Sequence, residues 1–236
     1  MESHNAKGQD MGAKKTSMRK QPKRRLLLID HHPILRDGLA HLILAEPDLE
    51  VCGQIDNSVR ALYEIAALKP HLIILEIALK SCNGLDLIKR IKTVYAELPV
   101  LAFSVNDEFL YAERALRAGA LGYLMKQSPR EEVVLAIRRV LGGERYLSMR
   151  MQERMMEKLS PPNGLAKWAS RGSLEQLSDR ELEVFQLIGN GSGTRQIAEH
   201  LRLSIKTVET YRAHIKQKLH LRNGMELIRT AMEMVN

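Results

Sequence analysis

The sequence predicts a doubly wound α/β domain with a five-stranded parallel sheet, followed by a small all-α domain. Two patterns indicate this fold class. From Leu26 onward, short apolar runs alternate with amphipathic stretches, as strands alternate with helices in a parallel sheet. In the last third of the chain only helical periodicity remains, interrupted by residues that begin and end helices. A chain of 236 residues with 44% hydrophobic side chains is enough for one or two ordinary packed domains.

The α/β segment, residues 26–147, contains five strand and helix pairs. Apolar runs predict strands at residues 26–29, 51–55, 72–75, 100–103 and 122–125. Amphipathic stretches predict helices at residues 34–45, 59–68, 84–93, 110–118 and 130–141. Continuous apolar runs are typical of parallel strands that are covered on both faces. We therefore expect helices on both sides of one sheet.

Polar residues follow four of the predicted strands. Asp30 and His31 come after the first strand, Glu76 after the third, Ser104 after the fourth and Lys126 after the fifth. In doubly wound folds, ligands bind beyond the carboxyl ends of the strands. A purely structural sheet does not require acids, a hydroxyl and a lysine at this edge, so these residues form a candidate functional site.

A polar, Met-rich segment at residues 148–172 predicts a partly helical linker, and residues 173–236 carry helix-turn-helix signals. Ser178 and Glu181 have the spacing of a capping box, which predicts a helix start. Thr194 is placed to cap a short second helix, and the next helix starts after a three-residue turn.

The helix predicted at residues 205–219 has two distinct faces. Val208 and Ile215 lie on an apolar face, and the opposite face is polar or small throughout. That opposite face carries Lys206, Glu209, Thr210, Ala213 and Gln217. Because the major groove accepts one α-helix whose outward side chains meet base edges, this helix is predicted to read DNA. A solvated face on a protein-binding helix would show the same pattern.

Cations and helix N-termini around this helix are expected to hold backbone phosphates. Together with Lys206, the cations available for this role are Arg195, Arg212, Lys216, Lys218 and Arg222. Thr194, Ser204 and Thr207 are further candidates for DNA binding.

Residues 177–222 resemble the LuxR-type C-terminal domain of the NarL/FixJ response regulators. The runs Leu-Ser-Asp-Arg-Glu-Leu-Glu-Val and Gln-Ile-Ala-Glu-His-Leu, and then Ser204-x-x-Thr207-Val208, occur in order at that family's spacing. The resemblance implies that the helix at residues 205–219 reads DNA and that a last helix near residues 224–235 dimerises the domain. The candidates for that dimer seam are Leu227, Ile228, Ala231 and Met232.

Two residues of the predicted reading helix depart from the family pattern. Glu209 stands where many members have Lys, and Ala213 has no hydrogen-bond donor. A carboxylate repels phosphate and accepts a hydrogen bond from cytosine. The operator sequence therefore cannot be transferred from relatives.

The α/β segment resembles a receiver domain through Leu-Leu-Leu-Ile-Asp30 and Ala-Leu-Arg-Ala-Gly-Ala-Leu-Gly-Tyr-Leu-Met-Lys126. In receivers an aspartate after the third strand takes a phosphoryl group, and two acids after the first strand hold Mg²⁺. The resemblance implies that Ser104 and Lys126 are the phosphate-contacting residues and that Tyr123 is a switch-like aromatic.

Two positions of this apparatus are altered, because Glu76 occupies the phosphoacceptor position and His31 replaces the second acid. Mg²⁺ prefers hard oxygen ligands in octahedral geometry, so Mg²⁺ binding is expected to be weak or absent. A longer acid moves its charge toward the place of a phosphate, which predicts that Glu76 imitates phosphorylation in a pseudo-receiver.

Three alternatives remain open at this point. In the first, the α/β domain is an inert dimerisation scaffold. In the second, the chain is a conventional response regulator that a sensor kinase or a small phosphodonor phosphorylates on Glu76 or Asp30. In the third, Glu209 has abolished base reading and the chain is an interaction protein.

The net charge of +8 does not itself indicate DNA binding, because most of the excess lies near the N-terminus. Residues 1–25 carry eight Lys or Arg and two acids, which predicts a disordered basic tail or merely a solvated leader. No apolar run approaches the roughly 18 residues of a membrane helix. Neither a metal-ligand spacing nor a nucleophile, base and acid set is present. We expect a cytoplasmic, non-enzymatic transcription regulator that binds double-stranded DNA as a homodimer, without a cofactor or membrane partner.

Overall fold

The computed structural model describes residues 22–79, 82–159 and 173–235. Most of the predicted tail and the second half of the predicted linker lie outside these residues. The first strand begins at Arg24, so Arg24 and Arg25 belong to the sheet and not to the tail. Both residues pair with the second strand, at Leu49 and Glu50.

Five parallel strands form one sheet in the order β2-β1-β3-β4-β5. The strands are β1 (Arg24–Ile29), β2 (Leu49–Ile55), β3 (Leu72–Leu75), β4 (Val100–Ser104) and β5 (Gly122–Met125). The helices between and after them are α1 (Pro33–Leu44), α2 (Ala61–Leu68), α3 (Gly84–Val94), α4 (Glu108–Ala118) and α5 (Arg130–Leu141). The predicted fold class is confirmed.

Successive residues of each strand point to opposite faces, so the sheet is buried on both sides. Leu27 and Ile29 face the core formed with α2, α3 and α4. Leu26 and Leu28 face the core formed with α1 and α5. This division explains why the strands are uniformly apolar rather than alternating.

The remaining helices form the linker and the C-terminal domain. They are α6 (Met149–Leu159), a short 3-10 helix (Ser173–Gln176), α7 (Asp179–Gly189), α8 (Thr194–Leu201), α9 (Ile205–Lys218) and α10 (Gly224–Val235). In the linker helix α6, Met151 is buried, and the guanidinium groups of Arg150 and Arg154 lie 5.1 and 5.0 Å from the ring centre of Phe109 in α4.

Local capping determines where the helices of the C-terminal domain begin. Ser178 and Glu181 form the predicted capping box, with the Ser178 N–H donating to Glu181 Oε2 over 2.7 Å. Thr194, predicted to cap α8, is instead its first residue. The cap is Gly193, whose N–H donates to the side chain of Gln196 over 2.8 Å. Gln196, at the third helical position, thus satisfies the Gly193 N–H in the manner of a capping box, and the predicted Thr194 cap is wrong.

No helix in the described parts of the chain combines the length and the apolar character needed to cross a membrane.

Candidate functional site

The candidate pocket lies where the strand order reverses, at the carboxyl ends of β1 and β3. Because β1 neighbours both β2 and β3, the connections leave in opposite directions there and open a crevice. Asp30, Glu76, Ser104 and Lys126 meet in this crevice, as the sequence predicted.

Glu76 is buried, with 1% of its surface exposed, and its carboxylate is engaged on both oxygens. Oε1 accepts hydrogen bonds from Ser104 Oγ at 2.5 Å and from the Ala78 N–H at 2.9 Å. Oε2 forms an ion pair with Lys126 Nζ at 2.5 Å. The backbone of Glu76 packs closely against α3, since a Cβ on Gly84 would lie 2.6 Å from the Glu76 carbonyl oxygen.

Lys126 joins two acids from different strands. Its Nζ lies 2.5 Å from Asp30 Oδ2 as well as from Glu76 Oε2, and its side chain is only 3% exposed. Burial by itself raises the pKa of Asp30, but hydrogen bonds from Lys126 and from the His32 N–H outweigh it and hold that pKa below its usual value. Asp30 is therefore a carboxylate at neutral pH, bound to an ammonium of the same chain.

The donor atoms of this pocket do not suit Mg²⁺. That ion requires near-octahedral oxygen ligands at about 2.0–2.1 Å, whereas here an ammonium lies against one oxygen of each carboxylate. Potential ligand atoms of Asp30, His31 and His32 lie within 4.8 Å of one another. Two of these three groups are imidazoles, and Lys126 Nζ is 3.4 Å from His32 Nδ1, so its charge would oppose a second cation.

A hydrogen-bonded path leads from this pocket to α4. Ser104 Oγ accepts from the Asn106 N–H at 3.3 Å, and the Asn106 carbonyl accepts from the Tyr123 hydroxyl at 2.8 Å. Tyr123 is fully buried, which raises its pKa and keeps the hydroxyl protonated. Asp107, which follows Asn106 in the chain, caps α4 because its side chain accepts a hydrogen bond from the Phe109 N–H at 2.8 Å.

Helix α4 in turn contacts α7 of the C-terminal domain. The Tyr111 hydroxyl donates to Gln186 Oε1 at 2.7 Å, and Arg114 pairs with Asp179 at 3.0 Å. Asp179 also pairs with Lys89 of α3 at 2.8 Å. The sequence did not predict these contacts, because residues so far apart in the chain leave no local pattern.

The predicted reading face of α9 is exposed. Lys206, Glu209, Thr210, Ala213 and Gln217 all lie at the surface, while Val208 and Ile215 are fully buried on the opposite side. Ser204 caps the helix by accepting from the Thr207 N–H at 3.0 Å. The two faces predicted from periodicity are thus present.

The other residues predicted to bind DNA differ in how exposed their side chains are. Arg195 and Arg222 are exposed, and Thr194, Thr207, Arg212 and Lys216 are half-buried. Lys218 has a different environment, because its Nζ lies 2.6 Å from Glu181 Oε2 in α7. This ion pair, with the Ser178 cap, more than offsets the effect of burial and lowers the pKa of Glu181. Lys218 therefore holds α9 against α7, a role the sequence did not indicate.

Only part of the predicted dimer seam reaches the surface. Leu227 and Ala231 are fully buried in the hydrophobic core of the C-terminal domain, where α10 packs against α7, so they are corrected from seam to core residues. Ile228 and Met232 are 38% and 43% exposed. Met225, which was not predicted as a seam residue, is 81% exposed and lines a surface groove together with Ile228 and Met232.

Both domains match known families. The family model for the response regulator receiver domain matches residues 26–138, and the model for bacterial regulatory proteins of the luxR family matches residues 175–231. Oxygen regulatory protein NreC of Staphylococcus epidermidis is 30% identical over 211 residues, covering 89% of this chain and 97% of that protein.

Solved structures show the same architecture. RcsB from Salmonella enterica serovar Typhimurium, bound to promoter rprA in the presence of phosphomimetic BeF3-, has a TM-score of 0.64 at 22% identity and covers 89% of this chain and 98% of its own. A two-component response regulator of the LuxR family from Aurantimonas sp. SI85-9A1 has a TM-score of 0.55 at 28% identity, with coverages of 58% and 99%.

Proposed function

Because this chain belongs to the luxR family of response regulators, which are DNA-binding transcription regulators of two-component systems, we propose that it acts on double-stranded DNA as a dimer without being phosphorylated. In this proposal Glu76 replaces the phosphoryl group, and the regulator itself catalyses no reaction.

The observation that supports this proposal is that both oxygens of the Glu76 carboxylate have partners in the pocket. It contacts Ser104 and Lys126, the two side chains to which the receiver resemblance gives the phosphate contacts, each at 2.5 Å. In this proposal the Glu76 carboxylate supplies the negative charge that phosphorylation would otherwise create. The buried Tyr123 and the path through Asn106 to α4 link this charge to the DNA-binding domain.

Mg²⁺ binding is weak or absent in this proposal. The Lys126 ammonium already pairs with one oxygen of Asp30 and one of Glu76, and His31 offers an imidazole where a hard cation requires a carboxylate. Since phosphoryl transfer depends on charge neutralisation by the metal, such a pocket lacks the main source of catalysis.

The dimer in this proposal forms through α10. Met225, Ile228 and Met232 present exposed apolar surface on this helix, beside the pair Arg229 and Glu233. Contiguous exposed apolar surface of this kind is typical of protein interfaces.

The DNA affinity of three forms of the full chain tests the proposal, each with and without a small phosphodonor and Mg²⁺. We expect the unchanged chain to bind DNA equally in both conditions. Glu76→Gln keeps the shape but removes the charge, and it should weaken DNA binding about fivefold or more, within the usual range of coupling between sites. Glu76→Asp shortens the acid and should weaken binding in the absence of phosphodonor.

Glu97→Gln is the matched control, because it removes an exposed carboxylate far from the pocket and should leave DNA binding unchanged. Intact mass after incubation with the phosphodonor completes the test. Equal DNA affinity for all three Glu76 forms would contradict the phosphate mimic. A phosphorylated unchanged chain with raised DNA affinity would instead favour the conventional response regulator.

A further inference from the structure

The exposed face of α9 carries a carboxylate that nothing in the described parts of the chain neutralises. The Glu209 side chain has no hydrogen bond or ion pair there, although Lys206 and Arg212 lie three residues before and after it on the same helix. Cations so placed on a helix are able to pair with an acid. Glu209 is thus left to act on whatever enters against this face.

Thr210, next to Glu209, has its hydroxyl group already bonded. Its Oγ1 donates to the Lys206 carbonyl at 3.0 Å, as threonines inside helices commonly do. The surface that Thr210 offers outward is therefore its methyl group. Ala213, one turn after Glu209 and also exposed, offers only a methyl group as well.

We propose that Glu209 is a specificity-determining residue that selects cytosine in the major groove, and that Thr210 and Ala213 select a thymine methyl beside it. This inference rests on the proposed function, because it assumes that α9 enters the groove of duplex DNA.

The selection of cytosine follows mainly from exclusion of the other bases. In the major groove guanine presents only acceptors, thymine an acceptor and a methyl group, and adenine an acceptor beside its amino donor. A carboxylate only accepts, so it repels acceptor edges and loses its hydration without compensation against them. Cytosine alone presents an amino donor without a neighbouring acceptor.

The position of the thymine contact follows from the helix geometry. Glu209 and Ala213 are neighbours on the helix surface, about 6 Å apart, and successive base pairs are about 3.4 Å apart. We therefore expect the thymine within two base pairs of the cytosine.

Selection of binding sites from a random duplex library, using the full chain, tests this inference. The unchanged protein should enrich one cytosine per half-site, with a thymine within two base pairs, and exchanging that C·G pair for G·C should weaken binding about tenfold. Glu209→Gln should shift the preference from cytosine to adenine, because glutamine pairs with the N6 and N7 atoms of adenine.

Glu199→Gln is the matched control, since it removes an exposed carboxylate from α8 and not from the α9 face. It should raise DNA affinity slightly and leave the selected sequence unchanged. Sites without an enriched cytosine, or an unchanged preference in Glu209→Gln, would overturn the inference while leaving DNA binding intact. Failure of the unchanged chain to retain any duplex would overturn the proposed function itself.

Discussion

Lys126 supplies one ammonium group to two carboxylates that follow different strands. The position of this lysine and of both acids could be predicted, because each directly follows an apolar run. Their joint ion pair could not, since its formation depends on the reach of the longer Glu76 side chain within a closed crevice. The sequence shows that Glu76 replaces an aspartate at the phosphoacceptor position. The atoms that the Glu76 carboxylate contacts could be identified only from the fold.

Removal of Lys126 should therefore destabilise the protein strongly. Lys126→Met leaves Asp30 and Glu76 buried without a cation, and we expect the free energy of unfolding to fall by about 3–5 kcal/mol, as for other broken buried pairs. The double variant Lys126→Met, Glu76→Gln should recover part of this loss because it buries one charge fewer. Urea unfolding measures both changes.

Arg117→Met is a suitable control for the Lys126 variants. It removes a cation whose side chain is 75% exposed, so its effect should stay within about 0.5 kcal/mol. A Lys126→Met protein as stable as this control would contradict the importance of the buried pair.

At the scale of single elements, α10 combines a core face with an exposed face. Its periodicity predicted an apolar stripe, but could not show which part of that stripe α7 already covers. Leu227 packs inside the domain, and Ile228, the next residue, turns toward the surface. Local signals identified the start of α7 through the Ser178 and Glu181 spacing, and they missed the cap of α8 by one residue.

The two faces of α10 should respond differently to substitution. Leu227→Ala creates a cavity and should lower the free energy of unfolding by about 2–5 kcal/mol. Ile228→Glu combined with Met232→Glu should leave the melting temperature nearly unchanged but convert the proposed dimer to monomers, with weaker DNA binding. Analytical ultracentrifugation and thermal unfolding distinguish these effects. A dimer that persists in the double variant would place the interface elsewhere.

At the scale of the whole molecule, α3 and α4 hold the DNA-binding domain through α7. The contacts join residues far apart in sequence, such as Arg114 and Asp179, which are separated by 65 residues. No sequence pattern marks such pairs, which explains why both domains could be predicted but not their contact. The exposed face of α9 remains outside this interface.

The interface should carry the effect of Glu76 to the DNA. If so, Glu76→Gln should change DNA affinity less in a chain that also carries Asp179→Asn than in the unchanged chain. A double-mutant cycle on DNA affinity measures this difference. Fully additive effects would show that the two sites act independently.

The interface should also loosen in acid. Burial raises the pKa of Asp179, but hydrogen bonds from Lys89 and Arg114 outweigh it, so its folded-state pKa is lowered. The stabilisation that the Asp179 carboxylate gives to the interface is complete above the unfolded-state pKa of about 3.9. It is lost as the pH falls through the lower pKa that Asp179 has in the folded state. Small-angle scattering should show the radius of gyration rising in that range, whereas Asp179→Asn should already be expanded at pH 7.

If the Glu76 carboxylate replaces the phosphoryl group as proposed, the charge in the pocket belongs to the polypeptide, and this changes how the regulator is switched off. A phosphoryl group is removed by hydrolysis, but Glu76 and Lys126 stay in place for the lifetime of the molecule. Under the proposed function, the regulator would have no reset step of its own. Its output then declines only as fast as the cell degrades or dilutes it, so synthesis and turnover set the timing of the response.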